Sequence, residues 1–331
     1  MKREEQPIVG ESPAFLNALE EASRAAQLNR PLLIVGERGT GKELIAERVH
    51  FLSPRWDQPL VRLNCAAISE ALLESELFGH EAGAFTDAQT RRLGRFERAD
   101  GGSLFLDELA STSSNIQEKI LRVIEYGQFE RLGSSRTLEV DVRLIGATNE
   151  DLPALARDGR FRADLLDRLA FDVITLPPLR ERREDILPLA EHFAIRMSRE
   201  MGRNLFAGFS RAASRALLEH SWPGNVRELK NVVERAVYRL EAADQPVEAF
   251  QFDPFDSPWR PGAGGRQGAG RPGLPDPRFK VFDLKDELKQ LEVRSIQRAL
   301  EACGGNQRRA AGRLGLSYHQ FRGLLKKYEL V

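Results

Sequence analysis

This sequence has little cysteine, no long hydrophobic run and no excess of charge of either sign. Cys65 and Cys303 are the only cysteines among 331 residues, so no disulfide framework is implied. The longest apolar runs, such as Leu32–Val35, are far too short to span a bilayer, and the charged N-terminus has no apolar signal core. We therefore expect a cytoplasmic protein, and its length allows two or three domains.

Charge is balanced overall but unevenly distributed. The chain has 49 basic and 49 acidic residues, so net charge alone indicates no polyanion partner. Residues 303–328, however, carry six Arg and Lys residues and no Asp or Glu. A basic block inside a neutral chain is typical of a local nucleic-acid footprint.

Short apolar runs alternate with helical patterns from Pro31 onward. This alternation predicts an α/β core with a mostly parallel sheet. The predicted strands are Leu32–Val35, Leu60–Leu63, Ser103–Leu106, Val142–Ala147 and Phe171–Leu176. Strand patterns stop after residue 178, and helical patterns follow over residues 184–200, 210–220 and 226–241.

A change of composition separates the C-terminal part of the chain from the rest. Six Pro and six Gly fall between Pro254 and Pro277, a composition that cannot build a core and predicts a linker. Helical spacing resumes after Phe279, with Asp283 as a candidate N-cap. We therefore expect an α/β nucleotide-binding subdomain, a helical subdomain, a linker and a C-terminal helical domain over residues 1–178, 179–245, 246–278 and 279–331.

A glycine-rich segment follows the first predicted strand and opens a helix. It reads Gly36, Glu37, Arg38, Gly39, Thr40, Gly41 and Lys42, which is the context of a phosphate-binding loop. Its backbone N–H groups would surround phosphates, and Lys42 would reach the β- and γ-phosphates of ATP. Glu43 follows, where the general pattern has a Ser or Thr whose hydroxyl meets magnesium. The alternative is a chance glycine-rich turn.

Two carboxylates stand directly after the strand Ser103–Leu106. Ligands of open α/β sheets bind at the carboxyl ends of strands, so Asp107 is a candidate ligand of Mg²⁺. Glu108 is a candidate general base that orients the attacking water. An acidic strand-to-helix turn is the alternative, and the preceding phosphate loop disfavours it. The pair predicts an ATPase.

Two short helices separated by Gly315 fit a helix-turn-helix. Apolar residues would pack the pair, and Ser317 would cap the second helix, whose N-terminal end meets base edges in such motifs. The preceding helix offers an apolar stripe for dimerisation, and a basic helical hairpin that packs elsewhere is the alternative. The candidate DNA-contacting residues are Arg308, Arg309, Ser317, Tyr318, His319, Gln320, Arg322, Lys326 and Lys327.

A small loop with one aromatic residue lies between the phosphate loop and the acidic strand end. It contains Gly83, Ala84, Phe85 and Thr86, and it has no obvious use in binding nucleotide. It resembles the contact loop of bacterial enhancer-binding proteins, the AAA+ ATPases that activate sigma-54 RNA polymerase. The resemblance implies that this loop binds sigma-54, although Asp87 replaces a family glycine. An ordinary surface loop is the alternative.

The resemblance covers residues 7–241 and 279–328 and implies an AAA+ core, a helical lid and a Fis-type DNA-binding domain. It also implies nucleotide contacts for Val9 and Gly10 near adenine and for Arg227 as the second sensor. Thr148 and Asn149 match the first sensor, which reads the γ-phosphate.

Three further positions match family residues around the catalytic glutamate. Asn64 matches the position that hydrogen-bonds this glutamate, and an asparagine that only satisfies strand-end backbone is the alternative. Arg162 and Arg168 match arginine fingers supplied to a neighbouring subunit. The alternative for each arginine is an ion pair with Asp164 or Asp167.

The resemblance implies that a separate protein, and not a domain of the same chain, regulates this activator. Few residues precede the matching region, so we expect no receiver or ligand-sensing domain. The resemblance implies a hexamer that binds enhancer DNA, acts on the phage shock operon, and is inhibited and recruited to the inner membrane by phage shock protein A. Trp56 lies in a polar loop and is a candidate docking residue, since Trp often anchors interfaces; packing on its own domain is the alternative.

Two other functions compete with a sigma-54-dependent activator that remodels closed promoter complexes. One is another AAA+ machine, such as a protease unfoldase or a helicase loader. The other is a DNA-binding regulator with a degenerate nucleotide fold. The contact loop together with the helix-turn-helix disfavours the first, and intact Lys42, Asp107 and Glu108 disfavour the second.

Overall fold

The computed structural model describes residues 8–85, 88–242, 244–256 and 284–328. The chain divides into two compact units between Asp256 and Ser257. The helices of the first unit are α1 (Pro13–Ala26), α2 (Lys42–Phe51), α3 (Glu70–Phe78), α4 (Arg95–Arg98), α5 (Ser114–Tyr126), α6 (Leu152–Arg157), α7 (Ala163–Leu169), α8 (Ile186–Glu200), α9 (Arg211–Glu219) and α10 (Asn225–Tyr238). Its strands are β1 (Leu32–Val35), β2 (Leu60–Asn64), β3 (Gly79–His80), β4 (Arg92–Leu93), β5 (Ser103–Asp107), β6 (Gln128–Glu130), β7 (Thr137–Glu139), β8 (Arg143–Thr148) and β9 (Val173–Thr175).

A five-stranded parallel sheet forms the centre of the first unit, in the order β2-β5-β8-β1-β9. This arrangement confirms the predicted α/β core, and each predicted strand overlaps an observed one. Separate hydrophobic clusters cover the two faces of the sheet. The register pairs Asn64 with Asp107 and Val35 with Thr148. The polar residues at the carboxyl ends of β2, β5 and β8 therefore meet at one edge of the sheet, beside the end of β1.

Two antiparallel hairpins interrupt the α/β pattern, and the sequence analysis did not anticipate them. Strands β3 and β4 pair around the loop that carries Phe85, and β6 pairs with β7. Strands of two or three residues are too short to show alternation. Gly94 supports the first hairpin, because a Cβ there would lie 2.5 Å from the carbonyl oxygen of Leu77. The hairpins place the described residues of the contact loop, Gly83, Ala84 and Phe85, outside the central sheet.

Helices α8, α9 and α10 form a lid with its own core, centred on the fully buried Trp222. The indole nitrogen of Trp222 donates to the carbonyl of Leu217 at 2.8 Å. Val247 is 2% exposed and belongs to this core, and Phe250 and Phe252 pack against it. The lid therefore extends beyond residue 245, where the linker was expected to begin. The reason is that residues 247–252 contain apolar side chains that are packed against the lid, whereas the Pro/Gly-rich composition begins only at Pro254.

The second unit consists of α11 (Leu284–Ala302), α12 (Gln307–Arg313) and α13 (Tyr318–Lys327). Its core contains Ala310 and Ala311 of α12 and Phe321 and Leu325 of α13, which fits the predicted helix-turn-helix. Ile296 of α11 is buried in the same core, so this part of the apolar stripe packs within the unit. The predicted N-cap Asp283 and the side chains of Leu284, Leu288 and Leu291 lie outside the described residues. No described helix is both long and apolar enough to cross a membrane.

Candidate nucleotide site and surrounding surfaces

A cavity of about 770 Å³ lies where β1, β5, α2 and the lid meet. It brings together residues that are far apart in the chain. Its lining includes the predicted Val9, Arg38, Gly39, Thr40, Gly41, Lys42, Glu43, Asp107, Glu108 and Arg227. The cavity thus assembles phosphate-loop, acidic and lid residues in one place.

Lys42 is held by the loop that it follows. Only 7% of the residue is exposed, and its ammonium donates to the carbonyls of Gly36 at 2.8 Å and Glu37 at 3.3 Å. Burial lowers the pKa of Lys42, while the carboxylates of Asp107 and Glu108 oppose that shift. A cation fixed beside two carboxylates suits the binding of a phosphate chain with a metal ion.

The acidic pair at the end of β5 has partners that differ from expectation. Asn64 donates to the Oδ2 atom of Asp107 at 3.2 Å, and not to Glu108 as predicted. Glu108 lies 3.6 Å from the Nε atom of Arg38. The Asn149 amide, assigned with its nitrogen toward Glu108, donates to that carboxylate at 2.5 Å. The pairing of β2 with β5 places Asn64 opposite Asp107, which explains the difference.

The two residues of the predicted first sensor have separate environments. Thr148 is fully buried, and its hydroxyl accepts a hydrogen bond from the backbone N–H of Glu150 at 3.0 Å. Its carbonyl accepts from the N–H of Gly36 at 3.1 Å. Asn149 is exposed and contacts Glu108. Thr148 therefore fixes the end of β8, and Asn149 alone of the two faces the acidic pair.

The carboxylate of Glu43 has a counter-ion that the sequence analysis missed. Arg62 lies 3.1 Å from Glu43 and also pairs with Glu47. All three residues line the cavity. The guanidinium offsets the unfavourable charge of a carboxylate near phosphates. A pair between α2 and β2 leaves no local sequence signal.

Glu37 faces the lid and not the cavity. Its carboxylate accepts from Arg180 at 2.6 and 2.9 Å and from the amide of Asn225 at 3.0 Å. Hydrogen bonds from Arg180, then from Asn225, lower the pKa of Glu37 to about 2. The side chain of Glu37 therefore joins the phosphate loop to the lid, and the phosphate contact of this residue through its backbone stays a prediction.

Residues of the N-terminal segment, among them Val9 and Phe15, also line the cavity. Val9 lines the cavity, and a Cβ at Gly10 would lie 2.5 Å from the ring of Phe15. The guanidinium of Arg182 lies 4.5 Å from the centre of that ring and donates to the carbonyl of Thr40 at 3.3 Å. Burial lowers the pKa of Arg182, opposed by Asp185. No sequence motif pointed to Arg182.

The two candidate arginine fingers form ion pairs away from the cavity. Arg162 pairs with Asp164 at 2.8 Å and with Glu118 at 3.1 Å. Arg168 pairs with Glu125 at 2.8 Å and keeps 61% of its side chain exposed. Neither arginine is among the residues that line the nucleotide cavity of its own chain. The ion pair of Arg162 with Asp164 is the one named as the alternative to a finger role, whereas Arg168 pairs with Glu125, which the sequence analysis did not anticipate.

The contact loop is partly ordered by its own hydrogen bonds. The N–H of Gly83 donates to the carbonyl of Ala88 at 2.7 Å. Phe85 is 44% exposed and packs edge-on against His80, with ring centroids 5.0 Å apart. Ala84 lies at the base of the loop, against Gly133. Thr86 and Asp87 lie outside the described residues.

Trp56 is 63% exposed. The neighbouring Arg55 fixes its loop, since this arginine binds both carboxylate oxygens of Asp141 at 2.7 Å. The exposure of the indole disfavours the alternative that Trp56 packs against its own domain.

The basic face of the second unit is mostly exposed. The exposed residues are Arg308, Arg309, Ser317, His319, Gln320, Arg322, Lys326 and Lys327. Ser317 and Gln320 form a reciprocal capping box, in which the side-chain oxygen of Gln320 accepts from the N–H and the hydroxyl of Ser317. Arg308 lies 5.5 Å from the centre of the half-buried Tyr318 ring, and Lys327 lies 3.8 Å from Glu292.

Comparisons with known proteins identify the class to which these features belong. Residues 8–175 match the sigma-54 interaction domain, residues 180–253 match the AAA+ ATPase lid domain, and residues 287–328 match the bacterial regulatory protein, Fis family. The chain belongs to the family of sigma-54-dependent transcriptional activators. It is an AAA+ ATPase that carries a helix-turn-helix DNA-binding domain, as the sequence analysis expected.

Individual relatives are similar along nearly the whole chain. The chain is 56% identical to the Psp operon transcriptional activator of Escherichia coli K12 over 324 residues, which cover 98% of each protein. It is 44% identical to the Nif-specific regulatory protein of Azotobacter vinelandii, covering 96% of this chain and 58% of that one. The crystal structure of NtrX from Brucella abortus in complex with ATP is 33% identical, with a TM-score of 0.68 over 98% of this chain and 70% of that chain.

Proposed function

We propose that this activator acts on the phage shock operon, works as a hexameric ring and hydrolyses ATP with Mg²⁺ in the described cavity. One observation supports the proposal above all: Lys42, Asp107, Glu108 and Arg227 line one cavity in a chain that is 56% identical to a Psp operon activator.

Each side chain of the cavity has its own role in ATP hydrolysis in this proposal. Lys42 binds the β- and γ-phosphates, and Arg227 approaches them from the lid. Glu108 orients the attacking water and accepts its proton. The arrangement fits magnesium, because Asp107 offers carboxylate oxygens beside the phosphate loop. When bound, magnesium neutralises charge on the phosphate oxygens.

Glu108 must exchange partners to act as a base. In the structure its carboxylate contacts Arg38 and Asn149. These two contacts compete with the binding of a catalytic water by the carboxylate. Glu108 has φ +53°, a left-handed conformation that is costly for a residue other than glycine. We infer that phosphate binding draws Arg38 and Asn149 to the γ-phosphate and releases Glu108.

Arg162 and Arg168 act on the nucleotide of a neighbouring subunit in this proposal. Both are accessible and away from their own cavity, although each must first give up an ion pair. Ion pairs at the surface are weak because water screens them, so each arginine can exchange its partner at little cost in free energy. Mixing Arg168→Ala with Lys42→Ala subunits should restore activity at mixed interfaces. If ATPase activity is not recovered although co-assembly of the two variants is confirmed, arginine fingers supplied by a neighbouring subunit are excluded.

Phe85 and Thr86 contact sigma-54 in this proposal, with Gly83 and Ala84 as the neighbouring residues of the contact loop. The second unit binds enhancer DNA through the exposed basic residues of α12 and α13, and so raises the local concentration of the ATPase. Removal of the chain from Phe279 onward should leave an ATPase that activates only at high concentration. Complete loss of ATPase would instead make these helices part of the ring.

The proposed inhibitor is phage shock protein A, which would also recruit the activator to the inner membrane. The exposed Trp56 is the proposed docking residue. Trp56→Ala should escape inhibition while retaining ATPase and DNA binding. Equal inhibition of the variant and the wild type would place the docking site elsewhere.

Transcription in vitro tests the whole proposal. Sigma-54 polymerase on a phage shock promoter should form open complexes only when the protein and ATP are both present. Lys42→Ala should fail, and a promoter whose enhancer has an unrelated sequence should require much more protein. ATP-independent activation, or equal response from the unrelated enhancer, would contradict the proposal.

A further inference from the structure

Three consecutive carbonyls of the phosphate loop are hydrogen-bonded by the lid. The Arg38 carbonyl accepts from the Asn225 amide at 3.1 Å. The Gly39 carbonyl accepts from the N–H of Val226 at 3.0 Å, and the Thr40 carbonyl accepts from Arg182 at 3.3 Å. These bonds fix the peptide planes of the loop, whose N–H groups are the ones that bind phosphates.

Both polar atoms of the Asn225 side chain are hydrogen-bonded, and its amide nitrogen makes the bonds to the phosphate loop. Its Oδ1 atom accepts from the N–H of Leu179 at 2.7 Å, and its amide donates to Glu37 at 3.0 Å as well as to Arg38. It is fully buried and has φ +52°. A non-glycine residue in this left-handed conformation is held there by its surroundings.

The contact is also close enough to constrain the backbone. A Cβ at Gly39 would collide with the carbonyl oxygen of Gly224, so the loop and the start of α10 touch directly. Arg227 follows Asn225 by two residues and lines the cavity. Residues 225–227 therefore hydrogen-bond to carbonyls of the phosphate loop and also place the cation of Arg227 in the cavity.

We propose that Asn225 is a positioning residue that aligns the phosphate loop and sets the register between that loop and Arg227. This inference rests on the proposed nucleotide site. Asn225 touches no nucleotide itself and acts through the carbonyl of Arg38 and the carboxylate of Glu37. Its loss should weaken nucleotide binding because the N–H groups of the loop are no longer pre-oriented, and pre-orientation is a main source of affinity.

The first test uses Asn225→Gly in the full-length protein. Glycine keeps the left-handed backbone without strain and removes only the side-chain bonds. Titration with a fluorescent ATP analogue should show a Kd raised about ten-fold, as expected for a lost hydrogen bond to a charged partner. KM for ATP should rise with it, while kcat at saturating ATP stays within about two-fold. A merely structural role would lower the active fraction, and hence kcat, without changing KM.

The second test is independent of the glycine variant. Asn225→Asp places a second carboxylate against Glu37 and should weaken binding further. The double variant Asn225→Asp with Glu37→Gln restores a donor–acceptor pair between these two positions. It should bind the analogue more tightly than Asn225→Asp alone does. The single variant Glu37→Gln serves as the reference for the loss of the Glu37 charge. Asn231→Asp is the matched control, since Asn231 is an exposed asparagine on the same helix, and its Kd should equal that of the wild type.

Each outcome decides between the inference and the proposed site. If the wild type binds the analogue and folded Asn225→Gly binds it within about two-fold, the inference is wrong while the site stands. Absence of recovery in the double variant, or an equal loss in Asn231→Asp, would also overturn the inference. If the wild type itself does not bind the analogue, the proposed nucleotide site is wrong.

Discussion

Replacement of Asp185 tests how the N-terminal segment is anchored beside the cavity. The carboxylate is fully buried and accepts from the N–H of Glu11 at 2.6 Å, from the N–H of Ser12 at 2.8 Å and from the Ser12 hydroxyl at 2.8 Å. It also lies 4.0 Å from Arg182. Asp185→Ala leaves all three donors without their acceptor and the buried guanidinium of Arg182 without its counter-ion.

The expected cost follows from these contacts. Hydrogen bonds to charged groups contribute about 1.5–3 kcal/mol each, and breaking a buried ion pair costs about 3–5 kcal/mol. The two effects overlap, so we expect Asp185→Ala to lower the free energy of unfolding by about 4 kcal/mol. At about 2–4 °C per kcal/mol for a domain of this size, Tm should fall by about 8–16 °C.

Asp185→Asn separates the charge from the hydrogen bonds. The Oδ1 atom that accepts both backbone N–H groups is retained, and the new amide can donate to the Ser12 hydroxyl. Only the charge opposite Arg182 is lost, so we expect a cost of about 2 kcal/mol. Thermal unfolding of the full chain at one protein concentration measures both variants. Equal Tm values for Asp185→Ala and the wild type, or for the two variants, would refute this account of the anchor.

The other predictions concern the catalytic and contact residues. Lys42→Ala should abolish ATP binding, whereas Glu108→Gln should bind ATP with wild-type affinity and lose about 100-fold or more in kcat; wild-type turnover by Glu108→Gln would exclude the base. Phe85→Ala should keep basal ATPase and lose open-complex formation in a promoter assay; retained open complexes would remove Phe85 from the sigma-54 contact. Burial raises the pKa of Cys65 to about 12, so at pH 8 this thiol is neutral, and mass spectrometry should find Cys303 alkylated and Cys65 intact; fast modification of native Cys65 would contradict its burial.

The local features of this protein were predictable from the sequence. The phosphate loop needs only a strand, glycines, Lys42 and a helix start, all within a few residues. Asp107 and Glu108 follow a buried strand, and Ser317 precedes an apolar periodic helix. Each signal is confined to a short segment, because backbone geometry and periodicity act between near neighbours. The parallel sheet, the lid and the helix-turn-helix followed from the same signals.

The partners of the polar side chains were decided by the tertiary structure alone. Asn225 and Glu37 are 188 positions apart in the chain, and Ser12 and Asp185 are 173 apart. Sequence matching suggested Glu108 as the partner of Asn64, but strand register placed Asn64 opposite Asp107. An arginine or asparagine can pair with many carboxylates, so its local sequence does not specify which one it meets. Strand register and the packing of the lid and the N-terminal segment select among these pairs, because buried polar groups need hydrogen-bond partners.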